Sequence, residues 1–359
     1  MDDSSEMTVA EVFLKALYDH GIEYIFANAG TDFAPIIEAL VTASQKGNPT
    51  PKFLTVPHEN VAISMAQGYY RIVGKPAGVM VHVTVGTANT ICGLMNSSRD
   101  NVPTLLMAGR TPLTETGNIG SRNVGIHWGQ ENFDQGGMVR EYVKWDYELR
   151  NEQPVDTLIG RALDIANSEP RGPVYLTLPR EVLGSKAKSP GDSPRSRSSG
   201  STVSIPDIST LERTSDLILK AEKPLIVSGK LGCREYAFDV LDAFATDFGL
   251  PVTQVDVPAL PSDHPMNWGF TTGQHLPDAD LVLVIESSVP WIPRTVNPNR
   301  NCKLIHLSPD PFYARFPYRG FEMDVALSGE PVESLKLLHE IKLTRSRGKK
   351  RTINTRRKL

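Results

Sequence analysis

Cysteine is scarce: Cys92, Cys233 and Cys302 are the only three in 359 residues. They are odd in number, widely spaced and form no CxxC pair, which excludes a disulfide framework and gives no zinc-site spacing. Long apolar runs are absent too. Stretches such as "LVLVI" at 281–285 fall far short of the ~20 residues a membrane span needs. The opening "MDDSSEMTVAE" is acidic and polar, so neither a secretory signal nor a basic transit peptide is expected. No GxxxxGK[ST] P-loop, HExxH or GxSxG motif occurs. With no leader, anchor or disulfide pattern, the expected location is cytoplasmic, with no membrane partner.

What remains is the composition of a folded globular chain, 40% hydrophobic and 22% charged, long enough for two domains with a core in each. The net charge of −3 hides an asymmetry. Nine of the 38 basic residues lie in "KLTRSRGKKRTINTRRKL" (342–359), which has no acid, leaving 29 basic against 41 acidic residues elsewhere. This tail has no aromatic residue and no apolar periodicity, so it reads as a solvated, disordered end and not as a nucleic-acid arm.

Helical and strand patterns alternate through 8–183. "TVAEVFLKALYDHG" has apolar residues at helical spacing, a capping box in Thr8 and Glu11, and a stop at Gly21. "IEYIFANAG", "KFLTV", "GVMVHVT", "PTLLMAG" and "PVYLTLP" read as strands, with a helix over about 33–44 and another over 60–73. The run "GSKAKSPGDSPRSRSSGSTVS" (184–204) breaks the pattern and is expected to be a linker. Alternation resumes with "PLIVSG", "PVTQV", "ADLVLVIE" and "CKLIHLS" as strands and "PVESLKLLHEIK" as a closing helix. The expected fold is therefore α/β: two doubly wound, mostly parallel-sheet domains. Their bounds are 1–183 and 206–341, joined by a Ser/Pro-rich linker at 184–205 and followed by the basic tail at 342–359.

Three strand ends carry polar residues: Asn28–Thr31, His58–Glu59 and His82–Asn89. Glu59 is, on pattern alone, an acid at a helix start favoured by the helix dipole. The alternative is a carboxyl buried at the carboxyl edge of a parallel sheet, where open α/β folds bind ligands and where an apolar setting suits it to proton work. His82 stands at the end of a strand before a turn at Gly86, either as a satisfied rim histidine or as a second functional group. Convergence of three such ends favours a site. "VSGKLGCRE" (227–235) lacks GxGxxG and a well-placed acid, so it reads as a plain strand–helix turn rather than a dinucleotide loop.

"NAGT", "PHENVAISMAQGYYRIVGKP", "VGTANT", "NVPTLLMAGRTP" and "RGPVYLTLP" resemble the pyrimidine-binding domain of thiamine-diphosphate enzymes, the group with acetolactate synthase, benzoylformate decarboxylase and pyruvate decarboxylase. "PLIVSG", "DADLVLVI" and "KLIHLSPDP" resemble its Rossmann-like central domain. The resemblance implies thiamine diphosphate as cofactor and a 2-oxo acid as substrate, with C–C cleavage or carboligation through a C2 ylid. It makes Glu59 the partner of the cofactor's aminopyrimidine ring and His82 a proton-handling residue. Gly30, Gly86 and Asn89 would line the cofactor, and Thr31 and Gln130 would meet the substrate. "VHVTVGTAN" is closer to benzoylformate decarboxylase, whereas "HWGQENFDQ" resembles acetolactate synthase. The family's GDG…N motif, which holds Mg2+ and the diphosphate, is not in these 359 residues. The chain is therefore expected to contribute only the pyrimidine half of the site and to be inactive alone. It would be part of a longer enzyme in a homo-oligomer, or a complementing or non-catalytic subunit beside a partner that carries the diphosphate-binding domain. Whether the central domain holds a flavin or an adenine nucleotide stays open.

Overall fold

The computed structural model describes residues 7–28, 30–150, 154–187 and 202–347. Most of the expected linker and the tail beyond Arg347 lie outside them. Two compact units divide near residue 201.

The first unit runs α1 (Val9–Asp19), β1 (Tyr24–Ala27), α2 (Ala34–Lys46), β2 (Lys52–Thr55), α3 (Glu59–Val73), β3 (Gly78–Val81), α4 (Val83–Asn89), α5 (Ile91–Arg99), β4 (Leu105–Arg110), α6 (Gly125–Gln130), β5 (Asp146–Glu148), α7 (Val155–Asn167), β6 (Val174–Pro179) and α8 (Arg180–Gly184). The helix ends follow the chemistry read from the sequence. Thr8 Oγ1 accepts the Glu11 N–H while the Glu11 carboxylate accepts the Thr8 N–H, a complete capping box. Gly74 closes α3 in the left-handed conformation, at φ +75°.

The six strands are all parallel, in the order β2-β1-β3-β4-β6-β5. Successive side chains of one strand serve two cores, as the pleat requires. Leu105 and Met107 of β4 pack with α1, α2 and α7, whereas Leu106 and Ala108 pack with α3 and α5. Helices on both faces and runs that are apolar on both sides are what an all-parallel sheet needs.

The second unit runs α9 (Ile208–Lys220), β7 (Pro224–Ser228), α10 (Ala237–Phe248), β8 (Val252–Gln254), β9 (Leu281–Ile285), β10 (Lys303–Ser308), β11 (Val325–Ser328) and α11 (Pro331–Arg347). Its five parallel strands lie in the order β11-β10-β9-β7-β8. All three helices pack on one face, against Ile226, Leu283 and Ile305. Leu276, Trp291 and other residues of loops and 3-10 turns cover Leu225, Val282 and Val284 on the other.

Two sequence expectations change. His82 does not end a strand that runs on to Thr84: β3 stops at Val81, His82 caps α4, and Gly86 lies inside that helix rather than in a turn. The cause is packing, since a Cβ on Gly86 would stand 2.9 Å from the Val81 Cβ and only glycine lets the helix fold back onto its own strand. The closing helix also runs past 341 to Arg347, into the segment expected to be a disordered tail. Lys342 is buried there, its Nζ 3.6 Å from the centroid of the Phe248 ring.

Candidate functional site

The carboxyl ends of β1, β2 and β3 deliver three polar groups to one edge of the first sheet. β1 leads into a 3-10 turn at Thr31–Phe33, β2 into α3, and β3 into α4. Asn28 Nδ2 donates to the Val56 carbonyl at 3.1 Å and ties the first two ends together.

Glu59 is the first residue of α3 and is 9% exposed. Asn89, the last residue of α4, donates through Nδ2 to Glu59 Oε2 at 3.2 Å. No partner for Glu59 Oε1 is present among the described residues. One oxygen is therefore fixed and the other is available at the sheet edge.

His82 is paired with Asp32, an acid that sequence reading passed over. The imidazole Nδ1–H donates to Asp32 Oδ1 at 2.6 Å, and Gln130 Nε2 approaches His82 Nε2 at 3.4 Å. The hydrogen bond to Asp32 pushes the imidazole above its ordinary pKa, against the effect of burial, and the charges of Asp32 and Glu59 push the same way. Asp32 is buried, and among the described residues its Oδ2 has no hydrogen-bond partner. Two glycines make room for this pair. A Cβ on Gly30 would stand 1.9 Å from His82 Nδ1, and one on Gly109 would stand 1.7 Å from Asp32 Oδ2. Val83, next to His82, has φ +31°, a conformation a β-branched residue adopts only when its surroundings impose it.

Gln130 is held through its own carbonyl and through the residues that follow it. Thr84 Oγ1 donates to its carbonyl at 2.7 Å. Arg110, at the end of β4, bonds Glu131 at 2.9 Å, the Asn132 carbonyl at 3.3 Å, and Glu148. Beneath α4, Tyr175 and Thr87 share a hydrogen bond at 2.9 Å, and Gln135 Nε2 donates to Tyr175 Oη and the Gly109 carbonyl at 2.9 Å each.

Thus Glu59, Asn89, His82, Gly30 and Gln130 come together, with the exposed Thr31 beside Asp32. Gly86 stands apart, its α-carbon against Val81. In the sequence "GTDF" the acid reads as an ordinary helix-start residue. Only the tertiary approach of β3 shows that it holds a histidine.

A carboxylate and an acid-paired imidazole thus stand together at the carboxyl edge of a parallel sheet, the edge where open α/β folds bind ligands. The comparisons name the family. Residues 7–138 match the thiamine pyrophosphate enzyme N-terminal TPP binding domain and 211–338 match the thiamine pyrophosphate enzyme central domain, and the chain belongs to this family. It is 27% identical over 323 residues to the acetolactate synthase large subunit of Haemophilus influenzae, covering 85% of this chain and 53% of that protein. It is 25% identical over 223 residues to benzoylformate decarboxylase of Pseudomonas aeruginosa, covering 62% of this chain and 39% of that one. The crystal structure of benzoylformate decarboxylase from Polynucleobacter necessarius superposes with a TM-score of 0.74 at 22% identity, over 94% of this chain and 61% of that chain, a likeness of fold. The chain spans about half the length, or less, of these curated relatives. Among the described residues no helix is long and apolar enough to cross a membrane.

Proposed function

We propose that this chain supplies the pyrimidine half of a thiamine diphosphate site in an enzyme that cleaves or forms a C–C bond next to the carbonyl of a 2-oxo acid. The observation that carries this reading is the Glu59 carboxyl, with Oε2 held by Asn89 and Oε1 without a partner among the described residues. The arrangement fits an aminopyrimidine, whose ring nitrogen needs one carboxyl oxygen in a setting that excludes water. The bound cofactor would supply the electron sink for decarboxylation. Glu59 would hold the proton shared with the ring nitrogen at Oε1. His82 Nε2 would give or take a proton on the substrate side, with Asp32 fixing the tautomer. Thr31 and Gln130 would orient the 2-oxo acid, while Gly30 and Asn89 shape the cofactor wall.

Among the described residues no group of three His, Cys, Asp or Glu could hold a metal ion. Mg2+ and the diphosphate would therefore be held by residues outside them, in a further domain of the same polypeptide or in a partner chain. On this reading that domain or partner chain would complete the site, in an oligomer, and the described part alone would be inactive.

The test is an NMR titration of the chain with 4-amino-5-hydroxymethyl-2-methylpyrimidine, the ring of the cofactor without its charged tail. Shifts at Glu59, Asn89 and Gly30 are expected, and Glu59→Gln should weaken binding about 10-fold or more, the scale of one lost charge-assisted hydrogen bond. Binding that ignores Glu59→Gln, or shifts confined to other surfaces, would overturn the reading.

A further inference from the structure

A buried chain of hydrogen bonds runs beneath α4 and reaches both members of the His82–Asp32 pair. Tyr175 of β6 and Thr87 of α4 are fully buried, and Gln135 is 2% exposed. Thr87 has one hydroxyl proton, which goes to the Val83 carbonyl at 2.8 Å. Tyr175 Oη therefore donates to Thr87 Oγ1 at 2.9 Å and accepts from Gln135 Nε2 at 2.9 Å. The other Nε2 proton goes to the Gly109 carbonyl at 2.9 Å, a group that can only accept, so the orientation of the amide is fixed. Burial, the largest cause, pushes the Tyr175 phenol above its ordinary pKa and keeps it a donor at neutral pH.

At one end the chain grips Val83, the residue after His82, whose φ of +31° a β-branched side chain does not adopt unaided. The Thr87 hydroxyl ties that strained residue to β6 through Tyr175. At the other end Gly109 packs its α-carbon against Asp32, where a Cβ would stand 1.7 Å from Oδ2. Gln135 also belongs to the segment of Gln130, whose carbonyl Thr84 of α4 holds at 2.7 Å and whose amide approaches His82 Nε2 at 3.4 Å. The surroundings are apolar, with Val81, Leu106, Ala108 and Val139 in the same cluster as Tyr175. Apolar side chains of the same volume would fill this space without desolvating two hydroxyls and an amide. What a satisfied polar network adds is a single arrangement of the groups it joins.

We propose that Tyr175, Thr87 and Gln135 are positioning residues, a brace that holds Val83 and Gly109 and through them sets His82 and Asp32 against each other. The brace deepens the reading of His82 as the proton-handling group and rests on that reading for its catalytic meaning. Its effect on the imidazole is testable without cofactor or substrate.

The experiment is NMR of the His82 imidazole in the full chain, reading its pH titration and the Nδ1–H signal of the 2.6 Å bond to Asp32. The variants are Tyr175→Phe, Thr87→Val and Thr87→Ser. Valine keeps the shape of threonine without the donor, and serine keeps the donor. Asp32 and Glu59, whose charges act on His82, are untouched in all three. Tyr175→Phe and Thr87→Val should each lower the His82 pKa by about 0.5 or more and weaken the Nδ1–H signal, while Thr87→Ser should keep both near wild type. Ser97→Ala, which removes an equally buried hydroxyl of α5 with no partner among the described residues, should move neither. The Thr87 variants decide the matter if Tyr175→Phe fails to fold. An unmoved His82 in folded Tyr175→Phe or Thr87→Val, a serine variant that behaves as the valine one, or an equal shift in Ser97→Ala would overturn the brace. Pyrimidine binding with an unmoved His82 would sink this inference and leave the thiamine reading standing. A His82 that moves as expected in a chain that does not bind the pyrimidine would do the reverse.

Discussion

Among the described residues, Glu59 Oε1 and Asp32 Oδ2 stand near the strand ends of the first unit without a partner, whereas in the second, beside the unpartnered hydroxyls of Ser228 and Ser287, Arg234 is held by two acids at once. Both units end a strand in the same way. Val83 follows β3 by two residues and Glu286 follows β9 directly, and both take a positive φ, +31° and +49°. In the first unit the strained turn aims a histidine into an open edge. In the second it turns Glu286 onto Arg234, whose Nε donates to Glu286 Oε2 at 2.6 Å while Nη1 donates to Glu330 at 3.2 Å. Backbone also packs closely at the second edge, beside a cavity of about 250 Å³ lined by Gly232, Arg234, Tyr236 and Pro258. A Cβ on Gly229 would stand 2.4 Å from the Glu286 carbonyl oxygen, and one on Gly232 would stand 2.1 Å from that of Pro258. Those glycines let the chain pack closely at this turn. One architecture thus gives an edge with unpartnered acid groups and an edge where an arginine and two acids pair with one another.

The largest expected effect comes from opening the closed edge. Arg234 is 14% exposed in its side chain, with Glu286 and Glu330 no more exposed. Arg234→Met leaves two buried carboxylates uncompensated and should cost about 3–5 kcal/mol in the second unit. Glu59→Gln in the first unit should cost under about 1 kcal/mol, since glutamine still offers Asn89 an acceptor. Hydrogen exchange read by mass spectrometry separates the two, with lost protection in β9 and β10 for the first variant and an unchanged β1–β4 for the second. Equal losses would mean that the first edge is as structural as the second.

A middle-sized effect should come from Asp32→Asn. Because the folded-state pKa of His82 is raised, the His82–Asp32 pair stabilises fully below the ordinary imidazole value of about 6.5 and loses that contribution as pH rises through the folded value. The wild-type first unit should be more stable at pH 5.5 than at pH 8.5 by about 1–2 kcal/mol, the range for a hydrogen bond to a charged group. Asp32→Asn should flatten that difference and lower the His82 pKa read by imidazole NMR. An unmoved His82 would show that Asp32 does not set its protonation.

Much of this frame was legible in the sequence. Alternating strand and helix runs gave both parallel sheets, Thr8 and Glu11 marked a real cap, and the polar strand ends at Asn28, Glu59 and His82 do converge. Contacts that depend on tertiary approach were not legible. Asp32 and His82 are fifty residues apart and meet only because β1 pairs with β3. Thr114 and Gly120 meet Glu181 and Arg180 only because the segment after β4 folds over the end of its neighbour β6. The short strand Asp146–Glu148 has three residues and too little period to read. The helix inside 342–347 escaped notice because charge dominates that stretch, although Lys342 buries its stem against Phe248.

The smallest effect separates the units by the sign of their pH response at two helix starts. Thr8→Ala should cost about 1 kcal/mol at any pH, because a hydroxyl cap carries no charge. Asp207 caps α9 differently. Its carboxylate accepts the Thr210 N–H at 2.9 Å and the Ser209 and Thr210 hydroxyls at 2.6 Å each. The bond from Ser209, then those from Thr210, hold the acid down at about 2. A depressed folded-state value means that this cap stabilises fully above the ordinary aspartate value, 3.8, and weakens as pH falls through about 2. The second unit should therefore lose protection in α9 on acidification, while the His82 pair in the first unit gains with falling pH through the neutral range. Asp207→Asn keeps a capping oxygen without the charge, so exchange of α9 amides should lose its acid dependence between pH 4 and pH 2 while protection at pH 7 changes little. An acid dependence that survives in the asparagine variant would place its origin outside the Asp207 cap.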